Sequence, residues 1–169
     1  MLASLIDIRT VTIIAIAIAA IESLTMLFVW STRRTYPGFG LWTAGSATFA
    51  VAFTMLSLRG LIPDFFSMVV ANALIVTAVA LIHEGVLRFR EFRSHKYVCV
   101  ALVALMAVLL FYFRFIDNNI WIRIIIASGL LAIIFGLLSL ALFYNIPHAQ
   151  RATYGLAGGI FGSYALFML

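Results

Sequence analysis

Between Arg59 and Lys96 the chain passes through 23 largely apolar residues, Phe65 to Leu87, and then into its densest basic cluster. As a helix, at about 1.5 Å per residue, this run is about 34 Å long, enough to cross a hydrocarbon core about 30 Å thick. The tail that follows carries Arg88, Arg90, Arg93 and Lys96 against the single acid Glu91. Short loops rich in Lys and Arg stay on the cytoplasmic side of a membrane, so the run is expected to enter from outside and leave inside.

Composition excludes a water-soluble domain. The 169 residues are 65% hydrophobic and only 10% charged, with a mean hydropathy of +1.17, too little polar surface to face water. The net charge of +5 does not point to nucleic acid, because the basic residues sit in short loops between apolar runs and form no stripe. Anionic lipid at the inner leaflet accounts for them. The single cysteine, Cys99, excludes an internal disulfide, and its apolar setting reads as a small buried hydrophobe.

The expected fold is all-α, a polytopic transmembrane bundle of six spans forming one integral-membrane domain: about 11–30, 41–58, 65–87, 97–113, 121–144 and 152–169. Met1 to Thr10 holds Asp7 and Arg9 but no basic n-region or cleavage site, so no removed signal peptide is expected. Tyr36, Pro37 and Gly38 make the first turn, Gly60 and Pro63 the second, Asp117 to Asn119 the fourth, and Pro147 lies in the fifth. Trp30, Trp42, Tyr97, Trp121, Tyr144 and Tyr154 fall at span ends, where amphipathic rings favour the headgroup region.

Charge sets the orientation. Arg33, Arg34, Arg88, Arg90, Arg93, Lys96 and Arg151 fall in the loops assigned inside, against Arg9, Arg59, Arg114 and Arg123 outside, where Asp7, Asp64 and Asp117 lie close to three of the four. The N-terminus is therefore expected outside. Six spans then leave the C-terminus outside as well, and the last apolar run has no flanking charge, so a missing C-terminal part is expected.

Small residues mark packing faces. Gly155 with Gly159 and Gly158 with Gly162 give overlapping GxxxG spacings, and Gly40, Ala44, Thr48 and Ala52 form a stripe on the second span. Such stripes let helices approach closely in lipid, within one chain, between copies or with another membrane protein. Glu22, Asn72, His83 and Glu84 are the candidates for an intramembrane ligand site or polar latch, because ionisable groups at such depth usually face a bundle interior. Asn72 and His83, about three turns apart, share a helix face, and Glu84 points about 100° away. In the sharper reading Glu22 and His83 meet across the first and third spans. In the plainer one Glu22 is protonated or hydrogen-bonded to a neighbouring helix, while His83 and Glu84 snorkel to the headgroups. One histidine and two carboxylates lack the spacing of a metal motif, so no metal, cofactor or catalytic residue is expected.

Several segments carry a resemblance: Asp7 to Thr10 (DIRT), Arg34 to Trp42 (RTYPGFGLW), Arg59 to Phe65 (RGLIPDF), Ala71 to Leu74 (ANAL), and Glu84–Gly85 ahead of Arg88 and Phe89. In order and spacing the chain resembles the N-terminal polytopic membrane region of bacterial diguanylate cyclases, which precedes their cytoplasmic GGDEF domain. The resemblance covers about residues 5 to 90 and is diffuse afterwards; His83 is not part of it. It implies a sensory or anchoring module in the bacterial inner membrane, with cyclic di-GMP made by a domain that this sequence lacks. A small transporter or channel, with Glu22, Asn72, His83 and Arg123 along a path, is the rival reading, and a structural membrane subunit is the third. No inverted repeat and no mid-span proline supports transport.

Overall fold

The computed structural model describes residues 8–94, 96–146 and 150–169, with side chains from Ile13 onward in the first helix. Asp7, the side chains of Arg9 and Thr10, and Pro147 therefore lie outside the described residues. The described chain forms six helices: α1 Ile8–Thr32, α2 Phe39–Ser57, α3 Phe65–Phe89, α4 Lys96–Phe115, α5 Ile120–Phe143 and α6 Arg151–Phe167. Their ends fall within three residues of the six apolar runs. In hydrocarbon every backbone N–H and C=O must be satisfied within its own segment, and a helix does this. Five helices, α1 to α5, are long and apolar enough to cross a membrane. With seventeen residues, α6 is about 25 Å long and shorter than the rest.

The turns follow local chemistry. Gly38 adopts φ +91° and Gly60 φ +89°, left-handed conformations that cost glycine nothing. Asn119 caps α5, its Oδ1 accepting from the N–H groups of Trp121 at 3.1 Å and Ile122 at 3.3 Å. The start of α3, Phe65–Val70, is π-helical. There Asn72 Nδ2 donates to the carbonyl of Met68 at 2.6 Å, within its own helix.

α3 is the centre of the bundle and packs on α2, α4 and α5, whereas α1 packs on α2 and α6 on α5. Contacts at the loops show that successive helices run antiparallel. Arg90, at the end of α3, donates to the carbonyls of Leu142 (3.1 Å), Tyr144 (2.6 Å) and Asn145 (3.0 Å) at the end of α5. Arg114 at the end of α4 pairs with Asp64 ahead of α3. Arg123 in the first turn of α5 reaches Met68 Sδ at 3.5 Å. Between these ends Val76, Val79, Met106, Leu110, Leu130 and Ile134 form a core among α3, α4 and α5.

The closest seam joins α2 to α3 and repeats every seven residues. Gly38 and Gly45 on one side oppose Gly85 and Ala78 on the other in antiparallel order, and Ala52 and Ala71 continue the two series at the same spacing. A Cβ on Gly38 would lie 2.2 Å from the Gly85 carbonyl oxygen, and one on Gly45 would lie 2.9 Å from that of Ala78. Ala52 and Ala71 are fully buried. Seven residues nearly complete two turns, so the set drifts only about 20° per step, whereas a spacing of four drifts about 40°. This is why the stripe Gly40, Ala44, Thr48 and Ala52 does not form one face. Gly40 abuts the indole of Trp30 in α1, Ala44 is exposed, and only Ala52 enters the seam.

The glycines of α6 divide in the same way. A Cβ on Gly158 would come within 3.0 Å of the Phe143 ring, and one on Gly162 within 3.0 Å of Ser139 Oγ, which donates to the Gly158 carbonyl at 2.8 Å. Gly155 and Gly159 have nothing within 4 Å. One GxxxG pair seats α6 on α5; the other faces outward.

Candidate functional site

Among the described residues, five of the six helices, all but α4, line a common space at the basic end of the bundle. Ile82, Val86 and Phe89 of α3, spaced four and three apart, form its floor. Glu22 and Met26 of α1 and Trp42 and Ser46 of α2, each pair four residues apart, form one wall. Tyr154, Ala157 and Phe161 of α6, preceded by Gln150 and Thr153, form the other, with Leu142 from α5. These spacings of three and four keep each set on one helix face. The result is a cleft of about 570 Å³, within the range of small-molecule sites. It stays open because α1 packs on α2 and α6 on α5, so that the two outer helices stand apart across it.

Three polar groups on the α1–α2 wall are unpaired. Glu22 is the only charged residue in the lining, and no hydrogen bond or ion pair reaches it among the described residues. Trp42 Nε1 is buried and has no acceptor. Ser46 is 6% exposed and makes no hydrogen bond among the described residues. The Trp42 indole is fixed by close packing: it lies 5.6 Å from the Phe89 ring and occupies the place where a Cβ on Gly85 would come within 2.4 Å. At the mouth the Arg90 guanidinium lies 4.6 Å from the Tyr154 ring while it caps α5, so its charge is directed at carbonyls.

The anticipated meeting of Glu22 and His83 does not occur. Among the described residues no Cα of α1 comes within 8 Å of one in α3. His83 projects about a quarter turn round α3 from the cleft, where it is 1% exposed and its Nδ1 lies 3.8 Å from Cys99 Sγ of α4. That ring borders a separate, largely apolar cavity of about 620 Å³ between α3 and α5, with Leu87, Phe92, Arg93, Leu137 and Tyr144 around it. Nor do His83 and Glu84 snorkel. Glu84 is 6% exposed, with Oε1 3.5 Å from Arg88 Nε and Oε2 buried without a partner. Asn72 is spent on its own helix, as described above. The four candidates are thus dispersed, and only Glu22 lines the cleft.

Trp42, Ser46, Phe89 and Tyr154 were not anticipated as site residues. Trp42 and Tyr154 read as interface rings, and a buried serine leaves no mark in a sequence. The available signal was the spacing of four that pairs Trp42 with Ser46 and Glu22 with Met26. Among the described residues no group of three or more His, Cys, Asp or Glu side chains is placed to hold a metal ion. No protein-family model, no curated protein and no solved structure matches this chain.

Proposed function

We propose that this chain is the sensory and anchoring module of a bacterial signalling protein of the inner membrane, and that it regulates a cytoplasmic diguanylate cyclase domain lying beyond Leu169 on the same polypeptide. The chain crosses the membrane six times from an outside N-terminus. Supporting that orientation, Arg33, Arg34, Arg88, Arg90, Arg93, Lys96 and Arg151 all fall at one end of the helices, the distribution that cytoplasmic loops carry. The seventeen residues of α6 lie at the lower limit of a spanning helix.

The observation that carries the sensory reading is the cleft and its walls. Two segments of the resemblance, Arg34 to Trp42 and Glu84 to Phe89, are far apart in the chain but pack as one unit. Tyr36 and Trp42 both contact Phe89, at 5.7 and 5.6 Å between ring centroids, and Gly38 abuts Gly85. Trp42 and Phe89 then form part of the cleft lining. A ligand in the cleft touches residues of α1, α2, α3, α5 and α6 at once, and so biases the arrangement of helices that leads to the output domain.

Two measurements test this. A reporter enzyme active only outside is expected to be silent when fused at Ser94 and active at Asn118; the opposite pattern refutes the orientation. Expression of the whole gene in a bacterial host is expected to raise cyclic di-GMP, and Ala157→Leu, which fills the cleft, is expected to change that level. A gene that ends at Leu169, or a nucleotide level indifferent to expression, refutes the signalling role.

A further inference from the structure

Glu22 lies eight residues before Trp30 in the first apolar run, about 12 Å from its basic end at about 1.5 Å per residue. A carboxylate at that depth is costly in hydrocarbon unless something pairs with it or neutralises it. Among the described residues nothing does. Arg90, whose guanidinium lies 4.6 Å from the Tyr154 ring of the lining, spends it on the carbonyls of Leu142, Tyr144 and Asn145. The rest of the lining carries no charge: Ser46, Gln150, Thr153 and Tyr154 bring neutral polar groups, and the remainder is apolar or aromatic, with Trp42, Phe89 and Phe161 among the rings. Two neutral polar groups also lack partners, the buried Trp42 Nε1 and the hydroxyl of Ser46, which is 6% exposed.

We infer that the cleft binds a lipophilic organic cation, an ammonium or phosphonium carrying bulky apolar groups, whose charge is paired by Glu22 and whose body lies on Ile82, Val86 and Phe161. This rests on the reading of the cleft as the ligand site and specifies what enters it. Charge decides the sign of the ligand, since the only charged group in the lining is an acid. Aromatic faces add attraction for a cation through their ring quadrupoles. Glu22 is the only His, Cys, Asp or Glu side chain in the lining, whereas hard metal ions are held by several oxygen ligands with carboxylates among them. A lipid acyl chain fills volume but leaves the carboxylate unpaired. The cleft volume of about 570 Å³ accommodates such a cation without displacing a helix.

The test uses the 169-residue chain in lipid nanodiscs and two ions of the same shape and opposite charge, tetraphenylphosphonium and tetraphenylborate, followed by equilibrium dialysis. Saturable binding of the phosphonium alone is expected. Glu22→Gln is expected to weaken it about tenfold or more, since the phosphonium has no hydrogen-bond donor and it is the charge–charge attraction that is lost, while Glu22→Asp retains it. Ala157→Leu obstructs the cleft from α6 with the acid intact, and is expected to weaken binding as well. This arm decides the matter if Glu22→Gln does not fold. Equal binding of both ions, or phosphonium binding indifferent to Glu22→Gln, overturns the cation assignment and leaves an apolar ligand site. Saturable binding of neither ion also overturns it. The signalling role fails on other grounds, through the fusion pattern or the cyclic di-GMP level of the whole gene product.

Discussion

Replacing Gly38 by alanine tests the seam on which the bundle rests. Its Cβ would stand 2.2 Å from the carbonyl oxygen of Gly85, where ordinary contacts begin at 3.4 Å, so the two backbones must part by about 1.2 Å. The obstacle is backbone and cannot rotate aside. A radial gap of about 0.5–1 Å already forfeits a quarter to a half of a dispersion contact, and this one would extend along the seam toward Gly45 and Ala78. Overpacking of this kind costs about 1–3 kcal/mol, and the left-handed φ of +91° adds about 1–2 kcal/mol for a residue with a Cβ. Lower entropy of the unfolded chain returns about 0.4–1 kcal/mol. The net loss expected is about 2–4 kcal/mol, measured by denaturant titration in mixed micelles with helicity as the signal. Gly60→Ala supplies the control. It has φ +89° with nothing within 4 Å, so it carries the backbone cost without the clash and should lose only about 1 kcal/mol. If Gly38→Ala is no more destabilising than Gly60→Ala, the close approach of α2 and α3 is not what holds them.

On α6, Gly158→Leu is expected to lower the thermal transition because it meets the Phe143 ring, whereas Gly159→Ala, with nothing within 4 Å, is neutral or stabilising by up to about 1 kcal/mol from helix propensity. The reverse ranking in a melting experiment would show that the helix is seated on its other face. Arg90→Met removes the donors to three terminal carbonyls of α5 and the stacking on Tyr154. A loss of about 1–3 kcal/mol is expected, read as faster proteolysis of the α5–α6 turn; an unchanged cleavage rate refutes the capping role.

The positions of all six helices were legible because hydrocarbon leaves the backbone few choices. Runs such as Phe65 to Leu87 must be helical, and breakers such as Pro63 and Gly38 must lie between them. Charge likewise marked one end, since Arg88 to Lys96 cannot lie in lipid. What the sequence could not decide was the rotation of each helix about its axis. Lipid tails and neighbouring helices are equally apolar to a leucine, so burial leaves little periodic trace and packing of small residues decides instead. The spacing of four in Gly40, Ala44 and Thr48 was as visible as the spacing of seven in Gly38, Gly45 and Ala52. Only the partner series Ala71, Ala78 and Gly85, met in antiparallel order, selects the second. That choice of rotation turns Trp42 and Ser46 toward the cleft and leaves His83 about a quarter turn of α3 away from it, toward α4 and α5. Depth, which follows from counting residues, placed the two at similar levels of the membrane; which side of α3 each faced was decided by how closely glycine lets two backbones approach.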